Sequence, residues 1–205
     1  MPIVGRILEK IVCQQLQSYC DLNSVIPTQQ FGFRKNSSCE LALLAAQDKW
    51  FEDINKGSYV GALLIDLSKA FDSIEHSQLL VELDKIGCND KSLQWFTSFL
   101  TNRMQRVKVG DTVSTWRPVS KGVPQGSPLS PLLFNITVRH LPETSGSDCF
   151  QFADDLTNSV AERNPEILRS KLEKVYHNVK DFCHSANLQI NLKKTQLIVF
   201  KSSSR

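Results

Sequence analysis

The sequence is short of the features that mark fibrous, membrane and secreted proteins. It holds only 9 Gly and 8 Pro in 205 residues, which excludes a collagen-like or Pro/Gly-rich disordered chain. The longest uncharged stretch, Gly122 to Val138, contains three prolines as well as Gln125 and Asn135, so no segment qualifies as a spanning helix and no membrane partner is expected. Arg6, Glu9 and Lys10 interrupt any apolar run after Met1, and the expectation is an intracellular protein, nuclear or cytoplasmic, that is not secreted. The 6 cysteines include no C-x-x-C and the 4 histidines show no metal-ligand spacing, so reduced thiols are favoured over disulfides or zinc. No repeat, linker or low-complexity segment is present apart from a polar tail, 202–205.

What remains is an ordinary globular composition, 41% hydrophobic and 22% charged, in a chain the size of one domain or one domain with a small appendage. The net charge of +3 is too small to name a partner, but it is unevenly spread. Between residues 91 and 121, Lys91, Arg103, Arg106, Lys108, Arg117 and Lys121 face Asp111 alone. Such a stretch suits a polyanion, and a solvated face explains it equally well.

Apolar periodicity predicts an amphipathic helix over Ile7 to Cys20. A second runs from about residue 38 to residue 54 behind the capping-box pattern Ser37-x-x-Glu40. The run YVGALLIDL from Tyr59 is too short for a buried helix and reads as a central strand with Asp66 near its end. Helices over Glu75 to Ile86 and Asp90 to Leu100 break at Gly87, and Arg106 to Val119 alternates as a hairpin around Gly110-Asp111. After a Pro/Gly-rich loop come a short buried helix beyond Pro131, a tight hairpin over Phe150 to Val160 with Asp154-Asp155 at its tip, a long helix over Pro165 to Ala186 and a last strand over Leu197 to Phe200. This order contains the split β-α-β-β-α-β pattern of a ferredoxin-like α+β fold, an antiparallel sheet with helices on one face.

In that topology Asp66 and the Asp154-Asp155 pair come to one sheet end. Three carboxylates at about 4 Å repel by about 4 kcal/mol per pair at an effective dielectric near 20, so they need a cation. Hard oxygen donors select Mg²⁺, and two such ions can activate a hydroxyl and neutralise a leaving group in phosphoryl transfer. The plainer alternative makes Asp66 a helix cap and Asp154-Asp155 a polar turn.

Three strings occur in order: DLSKAFD from Asp66, GVPQGSPLSPLLF from Gly122, and FADD ending at Asp155. Together they closely resemble the palm motifs of reverse transcriptases. The flanking QFGFRKNSS from Gln30, LTNRMQRVKVGD from Leu100 and NLKKTQLIVF from Asn191 resemble non-LTR retrotransposons of the jockey or CR1 kind. The resemblance covers about residues 5 to 201 and implies a partial, mostly helical fingers region over 1–58 and a palm over 59–201. It implies an RNA-directed DNA polymerase that uses two Mg²⁺ ions, with Mn²⁺ as a substitute, an RNA template, a DNA primer and deoxynucleoside triphosphates.

By the same resemblance Asp66, Asp154 and Asp155 are the catalytic metal ligands, with Asp66 and Asp154 the principal ones. Phe71 matches a ring beneath the nucleotide sugar that leaves no room for a 2′-hydroxyl, the alternative being a core Phe behind the strand. Gln125 and Gly126 match the loop touching nucleotide and template, where Gly permits close backbone approach. Lys194 resembles a mobile basic residue beside the triphosphate, or is a surface Lys. Arg34 reaches phosphate or caps the fingers. Arg103, Arg106 and Lys108 suit template-primer backbone contact. The family's Arg-Pro-Ile string, whose Arg grips the triphosphate, aligns upstream of Met1, and no thumb follows Arg205. A truncated copy is therefore expected, with a catalytically inactive nucleic-acid-binding remnant as the alternative. Two local departures are Arg139-His140 where the family usually has Asn-Asp, and Phe152 for the commoner Tyr.

Overall fold

Element boundaries follow capping and turn chemistry closely enough to be traced from the chain. The computed structural model describes residues 3–201, so the polar tail 202–205 lies outside the described residues. Helices α1 (Ile3–Leu22) and α2 (Cys39–Asn55) precede strand β1 (Tyr59–Ser68), which is followed by α3 (Ala70–Ser73), α4 (His76–Lys85) and α5 (Asp90–Leu100). Four short strands come next, β2 (Arg103–Gln105), β3 (Lys108–Val109), β4 (Thr112–Val113) and β5 (Arg117–Val119). Then come α6 (Ser130–Thr137), α7 (Leu141–Ser145), β6 (Asp148–Phe152), β7 (Asp155–Glu162), α8 (Pro165–Ser185), β8 (Gln189–Ile190) and β9 (Gln196–Phe200).

The long helix α8 starts where a cap and an N1 proline place it: the Asn164 side chain accepts from the Glu166 and Ile167 amides at 2.8 and 3.4 Å, and Pro165 follows. At α2 the cap is Ser38, whose Oγ accepts from Leu41 N at 3.2 Å, one residue later than the Ser37 expected from the capping-box pattern. The first three turns of α1 leave Ile3, Val4, Ile7, Leu8 and Ile11 exposed, and the apolar stripe buries fully only from Leu16 and Cys20 onward. On that helix Glu9 is buried instead, accepting from Ser127 Oγ at 2.6 Å.

The principal sheet is antiparallel throughout, in the order β6-β7-β1, with β9 and then β8 along the other side of β1. Side chains alternate between its faces. On the Gly61 face, a Cβ at that glycine would lie 2.5 Å from Leu172 Cδ1, so α8 packs directly against the strand. On the Val60 face, Phe200 pairs with Val60 and stacks on Trp50 of α2 at 5.1 Å. Helix α2, from the segment expected to belong to the fingers, therefore covers the face opposite α8; the apolar run of β1 is buried on each side because each side has a helix to meet.

The main core lies on the Gly61 face. Leu16, Cys20 and Ile26 belong to the same cluster as Leu63, Ile65 and Leu67 of β1, Leu133, Phe134 and Ile136 of α6, and Val175 and Val179 of α8. The basic hairpin stands apart as two short ladders, β2 with β5 and β3 with β4, beginning at Arg103 rather than Arg106. All six cysteines are free, and burial pushes Cys20 and Cys149 up to about 12 and Cys183 up to about 11, so these thiols stay protonated. No helix among the described residues is long and apolar enough to cross a membrane.

Candidate active site

Register brings the carboxylates together. In the β1–β7 ladder Asp66 pairs with Asp155, and in the β6–β7 hairpin Phe152 pairs with Asp155, so these three side chains share one sheet face. Asp154 is the second residue of the two-residue turn between β6 and β7. The first is Ala153, at φ 57, a position where tight hairpins usually place Gly. The register thus sets Asp155, not Asp154, directly opposite Asp66.

Asp66 is well partnered. Asn191 Nδ2 donates to its Oδ2 at 3.0 Å, Lys194 Nζ meets its Oδ1 at 3.1 Å, and the Asn191 amide donates to its backbone carbonyl at 2.8 Å. The carboxyl of Asp155 is raised from its ordinary value, first by burial and then by the charges of Asp154 and Asp66, with Lys194 opposing. Among the described residues no group of three Asp, Glu, His or Cys side chains forms a ready metal cluster. The donor set still fits a hard cation: Mg²⁺ needs only one or two carboxylates and completes its shell with water and substrate oxygens. The repulsion that raises Asp155 is also what such an ion would relieve. Asp66, Asp155 and Lys194 border a cleft of about 610 Å³ lined in addition by Leu43, Trp50 and Phe150.

The other expected residues occupy neighbouring space. Phe71 lies with Gln125 and Gly126 in a separate cavity of about 680 Å³, whose wall also carries Arg6 and Lys10 of α1. The ring of Phe71 stacks on buried Phe134 at 4.8 Å and meets Phe33 edge-on at 6.1 Å, so it is backed by core while its edge reaches the cavity. Gln125 Nε2 donates to both oxygens of Asp72 at 3.0 and 3.2 Å. Gln125 also borders a groove of about 960 Å³ containing Lys69, Arg103 and Lys121. Arg34 turns inward, its Nη1 donating to the carbonyls of Pro27 and Gln30 at 2.8 and 3.3 Å, and closes its loop. On the ribbon, Arg106 lies 4.6 Å over the Trp116 ring, and Arg106, Lys108 and Trp116 are exposed.

Several contacts of the site carry no signal in the sequence. Asn191 and Asp72 lie within the NLKKTQLIVF and DLSKAFD strings, yet nothing there announces that they partner Asp66 and Gln125. Gln30 and Gly32 lie within the QFGFR string, yet nothing in the sequence announces that their contacts are with Ala153.

Comparison with known proteins bears on this geometry. The family model described as reverse transcriptase (RNA-dependent DNA polymerase) matches residues 1–204. The RNA-directed DNA polymerase from mobile element jockey of Drosophila melanogaster is 26% identical over 208 residues, 98% of this chain and 23% of that protein. The Pol polyprotein from type-1 retrotransposable element R2 of Nasonia vitripennis is 35% identical over 136 residues, 61% of this chain and 13% of that protein. The structure of apo telomerase from Candida tropicalis superposes with a TM-score of 0.65 at 15% identity, covering 94% of this chain and 36% of that one, and so shares the fold. The chain spans about a quarter of the length of the first curated relatives it matches.

Proposed function

The chain belongs to the reverse transcriptase family, and on that premise we propose that it is the palm, with part of the fingers, of a non-LTR retrotransposon RNA-directed DNA polymerase. The observation that carries this reading is the Asp66–Asp155 pairing beside the Asp154 turn. Residues 59–201 are taken as the palm, a reading supported by the β9-β1-β7-β6 strand order, which is that of a ferredoxin-like sheet, and residues 1–58 as the fingers portion.

The reaction is attack of a primer 3′-hydroxyl oxygen on the α-phosphorus of a deoxynucleoside triphosphate paired with an RNA template. A new P–O bond forms, the α–β P–O bond breaks, and pyrophosphate leaves. Two Mg²⁺ ions held by Asp66, Asp154 and Asp155, or Mn²⁺ in their place, would supply hydroxyl activation and neutralisation of the leaving group. Asn191 orients the Asp66 carboxylate, and Lys194, ion-paired with Asp66, is placed to exchange that partner for a phosphate oxygen. Phe71 limits the space beneath the sugar, with Gln125 and Gly126 beside it, and Arg34 stiffens the loop behind. Arg103, Arg106 and Lys108 follow template-primer phosphates without reading sequence.

Primer extension on an RNA template, with the purified chain and Mg²⁺, tests the reading. Extension that disappears in Asp66→Asn is the expected result. Duplex binding without extension would leave a nucleic-acid-binding remnant and overturn the catalytic reading. Where extension is measurable, Phe71→Val should raise ribonucleotide relative to deoxynucleotide incorporation by roughly 10² to 10³ in kcat/KM, the scale of discrimination in such a pocket. An unchanged ratio would return Phe71 to the core.

A further inference from the structure

The tip that carries Asp154 and Asp155 is held by a side chain from outside the hairpin. Gln30, 1% exposed, accepts through Oε1 from the Gly32 amide at 2.8 Å and the Ala153 amide at 3.2 Å, and its Nε2 donates to the Ala153 carbonyl at 3.3 Å. Two amide donors converge on one side-chain atom, which fixes the orientation of the carboxamide: a flipped group would set N–H against N–H. The backbone joins in, with Phe31 N donating to Gln151 O and Gln151 N to Gln29 O, both at 2.8 Å. Gly32 lies so close that a Cβ there would overlap Ala153 N. Behind it, buried Asn135 of α6 donates to the Gly32 carbonyl at 3.0 Å, tying the brace to the core.

We infer that Gln30 is a positioning residue for the Asp154-Asp155 turn. Ala153 stands at positive φ without the freedom of glycine, a conformation that needs outside support. Gln30 bonds both the amide and the carbonyl of that residue, so it specifies the orientation of the peptide units on either side of Ala153. The direction in which Asp154 leaves the turn follows from those planes. Water cannot replace the clamp at this burial, and an apolar residue of the same length would strand two amides. Gln30 touches no reacting atom and acts only through the turn; its functional consequence rests on the carboxylates binding a divalent cation.

Titration of the whole chain with Mn²⁺, followed by electron paramagnetic resonance, tests this without requiring turnover. Asp66→Asn and Asp154→Asn should lose Mn²⁺ binding. Gln30→Met should weaken it by roughly 10- to 100-fold, the usual effect of removing a group that orients metal ligands. Adding Ala153→Gly to Gln30→Met should recover much of that loss, because glycine adopts the turn unaided, whereas a merely structural defect would not respond. Ser145→Ala, which removes a buried hydroxyl of α7, should leave Mn²⁺ affinity unchanged. If the Asp variants bind as well as the unaltered chain, the carboxylate reading fails and the clamp's role in metal binding fails with it. If the Asp variants lose the ion and Gln30→Met does not, the clamp alone is overturned. Should Gln30→Met fail to fold, hydrogen exchange of the Ala153 amide in the unaltered protein decides: strong protection is expected, and exchange at the rate of an open turn would refute the assignment.

Discussion

Two tight turns of this molecule stand at or beside the charged residues to which a function is proposed, and they are built in opposite ways. The turn at Ala153-Asp154 is pinned by a buried side chain from 123 residues away and by the backbone of Gly32. The turn at Gly110-Asp111 joins two strands of two residues each, and a Cβ at Gly110 would meet nothing within 4 Å. One uses Ala at positive φ and needs support; the other uses Gly at φ 57 and needs none. The difference suits the role proposed for each set of charges. Carboxylates that share a cation must be held to a fraction of an ångström, whereas cations following phosphate act through a field that decays over about 8 Å at physiological salt and tolerate movement.

The largest expected contrast is in stability. Gly32→Ala places a methyl group inside the backbone of the neighbouring turn and threatens the bonds that Gln30 makes there, so the loss should reach about 3 kcal/mol, the upper part of the range for overpacking. Gly110→Ala meets only the conformational cost of positive φ, about 1 kcal/mol. Denaturant unfolding of both variants gives the comparison directly. Equal losses would mean that the two turns are equally free and that the brace at residues 29–32 is incidental.

That contrast also marks what could be read from the sequence. Local signals carried far: the Asn164 cap and Pro165 fixed the start of α8, and turn residues bounded β1 and the β6–β7 hairpin. Short elements such as α3, α7 and β8 offered too few residues for periodicity to register. Periodicity likewise found the apolar stripe of α1 but not that its first turns go uncovered, because coverage is a property of the neighbour. At the site, strand order made the three aspartates candidates beside a plainer cap-and-turn alternative, and the resemblance of the three strings to reverse transcriptases decided between them. Their pairing was set by register, and register placed Asp155 opposite Asp66. Gln30 was the least legible, since a hydrogen bond spanning 123 residues leaves no local trace.

A second contrast concerns nucleic acid. Replacing Arg103, Arg106 and Lys108 together by Ala should lower duplex affinity similarly for all sequences and reduce the salt slope by about 0.9 for each phosphate no longer neutralised. Folding should change little, because Arg103 and Lys108 sit on short ladders, with Arg106 between them, outside the core. Filter binding across a salt series measures the slope. An unchanged slope would make the ribbon a solvated face, and a large stability loss would show it to be more firmly built than its exposed strands indicate.

The smallest effect probes the pinned turn by its charge. Asp155 has a carboxyl raised above its ordinary value of 3.8 by burial and by Asp154 and Asp66. The folded protein then holds that proton more tightly than the unfolded chain, so the group favours folding below the ordinary value. The advantage is lost as pH rises from that value through the raised one. At neutral pH the ionised group is a net cost, screened by solvent to about 0.5 kcal/mol or less. Asp155→Asn should therefore raise the unfolding midpoint slightly at pH 7 and flatten the decline in stability across the acid range. Magnesium should reverse the order: an ion that binds only the folded form stabilises it in proportion to its affinity, so the unaltered chain gains and the Asn variant gains less. Thermal unfolding at several pH values, with and without Mg²⁺, reads both effects. If Asp155→Asn destabilises the metal-free protein at neutral pH, the carboxylate is already compensated within the fold, and the strain assigned to the acidic tip is absent.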